Sequence, residues 1–74
     1  MKKEITELLE KAAHDLYKEK YPSIYEFVKV ALNSGGNPES IGNALLTCLG
    51  ENDRNQAHQV CLVARYLIRC PDGA

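Results

Sequence analysis

The sequence has no apolar segment long enough to cross a membrane, since its longest uninterrupted apolar run is only Val60–Ala64. Its charged first residues, Met1–Glu4, lead into no apolar stretch of the kind found in a signal peptide. It also lacks an excess of either charge, because nine Lys and Arg against ten Asp and Glu give a net charge of −1. Net charge therefore gives no support to binding nucleic acid or an anionic membrane. We expect a soluble, cytoplasmic protein.

An even set of cysteines is also missing. The three cysteines, Cys48, Cys61 and Cys70, cannot all pair within one chain. A small secreted domain usually carries an even disulfide framework. An antiparallel helical hairpin that turns at Gly50–Asp53 would place Cys48 opposite a residue near Asn55, not opposite Cys61. We therefore predict reduced thiols.

The chain is too short to build a large core. Its 74 residues predict one domain, 1–74. A hydrophobic fraction of 45% with 26% charged residues is typical of a folded protein, not a disordered one. A core of this size supplies only about 3–5 kcal/mol. Such domains often gain stability from a disulfide, a metal, regular helix packing or a partner subunit.

No segment shows the alternation of a β-strand, and apolar spacing predicts a compact all-α domain of four helices arranged as two hairpins. The first helix should span residues 3–20 and stop at Tyr21-Pro22, because the residue before proline is pushed out of the helical region. Its predicted inner face follows the i, i+3, i+4, i+7 rule and consists of Ile5, Leu8, Leu9, Ala12, Ala13 and Leu16.

The other three helices have start and stop signals. Ser23 with Glu26 predicts a capping box at the start of the second helix, and Gly35 should end it. The predicted inner face of this helix consists of Ile24, Phe27, Val28 and Ala31. Asn37-Pro38 should open the third helix, and Gly50 should end it. The predicted inner face of this helix consists of Ile41, Ala44, Leu45, Cys48 and Leu49. Gly42 weakens this helix but allows another helix to approach closely. Asp53, with Gln56, should cap the fourth helix, which runs to about Arg69.

The fourth helix has more apolar surface than one stripe needs. Its main stripe is Ala57, Val60, Cys61, Ala64, Leu67 and Ile68. Leu62 and Tyr66 point nearly opposite, at about 100° per residue. One interpretation makes this the central helix, surrounded by the other three. The other makes Leu62 and Tyr66 the centre of a partner or dimer surface, since aromatic and Arg residues are favoured at such sites. The rim of that surface would be Gln59, Arg65 and Arg69.

The first turns of the fourth helix suggest a second function. Arg54, Asn55 and His58 are residue types that hydrogen-bond base edges, and they open a helix that follows another across a short turn. Against a DNA-binding helix-turn-helix, polar Gln56 and Gln59 fall where that motif needs apolar residues. Cations that could anchor phosphates are also sparse.

Signals of catalysis, metal or cofactor are weak. His58 and Cys61 could share one metal, but two further ligands are not evident and no Cys-x-x-Cys pair exists. His14 and Asp15 are adjacent on a helix, so we expect them to point apart. The chain has no phosphate-binding glycine loop. We expect no cofactor, no metal and no enzymatic activity.

Tyrosines recur at the corner between the first two helices: Tyr17, Tyr21 and Tyr25. They either cap the open end of the bundle, with their hydroxyls in water, or form an exposed aromatic patch for a partner. The pattern as a whole predicts a small regulatory or adaptor protein that acts through protein–protein contacts, self-association included. Binding of DNA by the start of the fourth helix is the alternative.

Overall fold

The computed structural model describes residues 2–49 and 54–71, and of Leu49 it describes the backbone only. Four helices make up this part of the chain: α1 (Lys2–Lys20), α2 (Pro22–Asn33), α3 (Pro38–Leu49) and α4 (Arg54–Arg69). Helix α4 packs against all three others, most extensively against α1 and α3. This confirms the compact all-α fold with the fourth helix at its centre. In residues 2–49 and 54–71, no helix combines the length and apolarity that crossing a bilayer requires.

Proline, not a serine cap, starts α2. The helix begins at Pro22, whose fixed φ suits the first helical position, and its N-cap is Tyr21. Ser23 already lies inside the first turn, so the predicted capping box is wrong. The prediction for α3 is confirmed, because the Ser40 backbone N–H donates to Asn37 Oδ1 at 2.8 Å. The predicted signals at Gly50 and Asp53 lie outside the described residues.

The end of α2 is a Schellman motif at the predicted glycine. Gly35 has φ +91°, a left-handed conformation that glycine adopts without a Cβ penalty. The Gly36 N–H donates to the Ala31 carbonyl at 2.9 Å, and the Gly35 N–H donates to the Leu32 carbonyl at 3.0 Å. These bonds satisfy the last carbonyls of α2 and turn the chain toward α3.

The core forms around α4. Its buried residues are Val60, Leu62, Val63, Ala64, Tyr66 and Leu67. The other helices add buried Ala13, Tyr17, Tyr25, Val28, Ile41 and Leu45. Several predicted inward residues are exposed instead: Phe27, Ala44, Cys48 and Ile68. In the predicted stripe of α4, Ala57 and Cys61 are half-buried.

Helices α3 and α4 meet closely at Gly42, as the sequence predicts. A Cβ at this position would lie 2.5 Å from Cys61 Sγ and 3.2 Å from the Ala57 carbonyl oxygen. The Cys61 thiol donates to the Pro38 carbonyl at 3.3 Å. Cys48, Cys61 and Cys70 are all free thiols, as predicted.

Candidate functional site

The two residues at the centre of the predicted partner surface lie in the core. Leu62 is 5% exposed and Tyr66 is 9% exposed, so the chain itself covers both side chains. This agrees with α4 as the central helix and does not fit a partner surface centred on them. Of the predicted rim, Gln59 and Arg65 are half-buried, and Arg69 is exposed. Arg65 reaches Glu39 at 4.0 Å.

Half of the large apolar side chains that are exposed in the described part of the chain lie on α1. The row that periodicity predicts to face the core is turned to solvent, with exposures of 59% at Ile5, 68% at Leu8, 54% at Leu9 and 36% at Leu16. Ala12, in the same row, is also exposed. The predicted inner face of the first helix is therefore wrong except at Ala13. We name Ile5, Leu8, Leu9, Ala12 and Leu16 the α1 face.

A second stripe of α1 is the buried one. It consists of Glu10, Ala13, His14 and Tyr17, which follow the same i, i+3, i+4, i+7 spacing. At 100° per residue this stripe is turned about 130° from the α1 face. The helix thus has two stripes of helical period, and the one that carries polar atoms packs against α4 and α2.

Glu10 is buried as half of an ion pair. Its side chain is 1% exposed, and Arg69 Nη1 donates to Glu10 Oε2 at 2.7 Å. A buried carboxylate needs such a partner, because leaving water costs several kcal/mol. The other oxygen, Oε1, is buried with no hydrogen-bond partner in the described part of the chain. This pair joins α1 to the end of α4.

His14 is buried between two tyrosines and beside a carboxylate. Its Nδ1 lies 3.2 Å from Asp15 Oδ1 and its Nε2 lies 3.4 Å from the Tyr25 hydroxyl. The Tyr66 ring packs against the imidazole with centroids 4.6 Å apart. The expectation that His14 and Asp15 point apart is therefore wrong, because the Asp15 carboxylate turns back to the ring nitrogen. The hydrogen bond with His14 lowers the pKa of Asp15, and Lys11 at 3.3 Å adds to this.

The tyrosines at the helix corner do not act as a group. Tyr17 is buried, and its hydroxyl donates to the Gln56 carbonyl at 3.3 Å. Tyr25 is buried against His14, whereas Tyr21 is exposed beside the Tyr17 ring. Neither an end cap with wet hydroxyls nor an aromatic patch describes all three. Two of them supply the core instead.

A groove runs between the first half of α1 and the end of α4. Its volume is about 560 Å³. Tyr66 is one of the lining residues, and burial raises the pKa of its hydroxyl group. The groove is lined by Glu4, Glu7, Leu8, Glu10, Lys11, Tyr66, Arg69 and Cys70. It therefore adjoins the α1 face through Leu8.

The start of α4 exposes the residues of the DNA-binding alternative. Arg54, Asn55 and His58 are all exposed, while Gln56 and Gln59 are half-buried. DNA binding by these residues stays a prediction.

His58 and Cys61 are the pair that the sequence offers as metal ligands. Within residues 2–49 and 54–71, no three His, Cys, Asp or Glu side chains lie close enough together to hold a metal ion. Burial raises the pKa of the Cys61 thiol, which disfavours the thiolate that a metal would need.

The comparisons with known proteins give no relative to guide the assignment. No family model, no curated protein and no solved structure matches this chain.

Proposed function

We propose that this protein is a small regulatory or adaptor module that binds a protein partner through the α1 face. The observation that carries the proposal is the exposure of four large aliphatic side chains along one side of a single helix. No catalytic residue or cofactor is part of the proposal.

The arrangement of these side chains supports the proposal more than their number does. Single exposed apolar residues are ordinary on protein surfaces. Here, however, Ile5 to Leu16 form a continuous row about 17 Å long, at 1.5 Å per residue. Contiguous exposed apolar patches typically mark interaction sites. A row of this form suits helix-in-groove or helix-to-helix recognition.

The polar contacts that α1 makes within the fold lie outside the α1 face. The buried stripe of α1 makes the polar contacts to α2 and α4, through Glu10, His14 and Tyr17. Leu9 and Leu16 lie on the other side of the helix and are exposed. Their exposure therefore has a cost in water that only an external partner would remove.

Affinity capture with the tagged chain tests the proposal. Leu9→Glu and Leu16→Glu should each abolish capture of the partner, because a charge would be desolvated in the interface. Val30→Glu is the matched control, since Val30 is equally apolar and 61% exposed but lies on α2. Quantitative mass spectrometry compares the captured proteins, and circular dichroism checks that each variant is folded. Equal capture by the wild type and both α1 variants would refute the proposal.

DNA binding by Arg54, Asn55 and His58 is the competing hypothesis. It predicts binding to duplex DNA that weakens steeply with salt and is reduced by Arg54→Ala. The exposure of these side chains is compatible with it, but only three arginines occupy the C-terminal half of the chain. Absence of duplex binding at low salt would reject it.

A further inference from the structure

The α1 face continues at both ends into charged residues of opposite sign. Taken every three or four residues, the row reads Lys2, Ile5, Leu9, Ala12, Leu16 and Glu19, and all six are exposed. This alternation of three and four is the spacing at which one helix meets another along a seam. The row is basic at its first position, acidic at its last and aliphatic between.

This row is complementary to its own reverse. When a second α1 lies antiparallel, Lys2 faces Glu19 of the second copy, Ile5 faces Leu16, and Leu9 faces Ala12. Opposite charges then meet at both ends of the seam. The large Leu9 side chain packs against the small Ala12, as close packing between facing positions requires.

The parallel arrangement lacks both forms of complementarity. Lys2 would face Lys2 and Glu19 would face Glu19, and like charges at facing positions are destabilising. Ala12 would face Ala12 and leave a gap between two leucine layers. Charge and side-chain volume therefore favour the antiparallel pairing.

We infer that the partner of the α1 face is a second copy of this chain, bound with its α1 antiparallel. This rests on the proposed function and names its partner. The two-fold symmetry of the pair makes every contact occur twice. The seam from Lys2 to Glu19 is about 26 Å long, at 1.5 Å per residue.

Charge variants of the full chain, studied by sedimentation equilibrium from roughly 1 μM to 1 mM, test this pairing. Lys2→Glu and Glu19→Lys each create like-charged pairs at both ends, and each should raise the dimer dissociation constant roughly tenfold. The double variant Lys2→Glu/Glu19→Lys restores opposite charges and should dimerise like the wild type. Lys18→Glu is the matched control, because Lys18 is exposed but lies off the row, and it should change nothing.

Each other result overturns the antiparallel dimer. A wild-type chain that stays monomeric at the highest concentration rules out the second copy. Single variants that dimerise as tightly as the wild type, or a double variant that does not recover, rule out the antiparallel register. A monomeric wild type whose partner capture is still lost in Leu9→Glu keeps the proposed function and points to a different protein. If Leu9→Glu keeps both dimerisation and partner capture, the antiparallel dimer and the proposed function are both rejected.

Discussion

At the scale of single residues, the contact between α3 and α4 depends on the missing side chain at Gly42. The helices can approach because this position has no Cβ, and Cys61 fills the space above it. Packing of this density leaves no room for an added methyl group, so the site is sensitive to the smallest enlargement.

Gly42→Ala should lower the free energy of unfolding by about 1–2 kcal/mol, because the clash outweighs the helix propensity gained. Denaturant unfolding measures the change. Asn43→Ala, at the exposed neighbouring position, is the control and should be close to neutral. Adding Cys61→Ala to Gly42→Ala should recover part of the loss, because the nearest atom is gone. Equal stability of the two alanine variants would contradict the close approach.

Asp15 is a second residue whose neighbour decides its properties. Its pKa lies below the usual 3.8 because of the hydrogen bond with His14. A carboxyl group with a lowered folded pKa stabilises the fold above its unfolded pKa and loses this effect as pH falls through the folded value.

The destabilisation caused by Asp15→Asn should therefore be present at pH 6 and should shrink below about pH 4. The effect is small, since the Asp15 side chain is 54% exposed. Thermal unfolding of both proteins across this pH range measures it. A difference between wild type and variant that grows as the pH falls would contradict the His14–Asp15 contact.

At the scale of helices, polar contacts fix the orientation of α1 about its own axis. The Tyr17 hydroxyl donates to the Gln56 carbonyl near the start of α4, whereas Glu10, earlier in α1, accepts from Arg69 at the end of α4. The two helices therefore run antiparallel. Because these contacts lie on one stripe, they select which side of α1 is buried. The aliphatic row is left facing solvent as a consequence.

Arg69→Leu should destabilise the protein by about 2 kcal/mol, because it leaves the Glu10 carboxylate buried without its partner. The loss stays below that of a fully buried pair, since the Arg69 side chain is 49% exposed. The double variant Glu10→Leu/Arg69→Leu removes the buried charge as well and should recover at least half. Arg65→Leu, whose ion pair with Glu39 is exposed, is the control and should be near neutral. Denaturant unfolding measures the free energy of unfolding of each variant. If Arg69→Leu lowered it no more than the Arg65→Leu control does, the buried Glu10 carboxylate would not depend on Arg69.

At the scale of the whole molecule, the core and the proposed recognition surface lie on different sides of α1. The core lies between α4 and the other helices, and it does not include the α1 face. The core contacts of α1 therefore do not depend on the α1 face, which the proposed partner would cover.

Leu9→Gln should change the unfolding free energy of the dilute monomer by less than about 0.5 kcal/mol. Val63→Ala should cost about 2 kcal/mol, because Val63 is fully buried and its methyl groups leave a cavity. Denaturant unfolding at low micromolar concentration compares the two. If Leu9→Gln cost as much as Val63→Ala, the aliphatic row of α1 would face the core.

The sequence by itself determined the four helices and the centre of the fold. Local chemistry was sufficient for this: Tyr21-Pro22 ends α1, Gly35 ends α2, Asn37-Pro38 opens α3, and the wide apolar surface of α4 favours a central position. Only the tertiary structure decided which stripe of α1 is buried. Glu10, His14 and Tyr17 resemble surface residues until Arg69, Tyr25 and the Gln56 carbonyl are brought to them from distant parts of the chain. Periodicity counts apolar side chains within one helix, whereas the burial of a polar group depends on partners that another helix supplies.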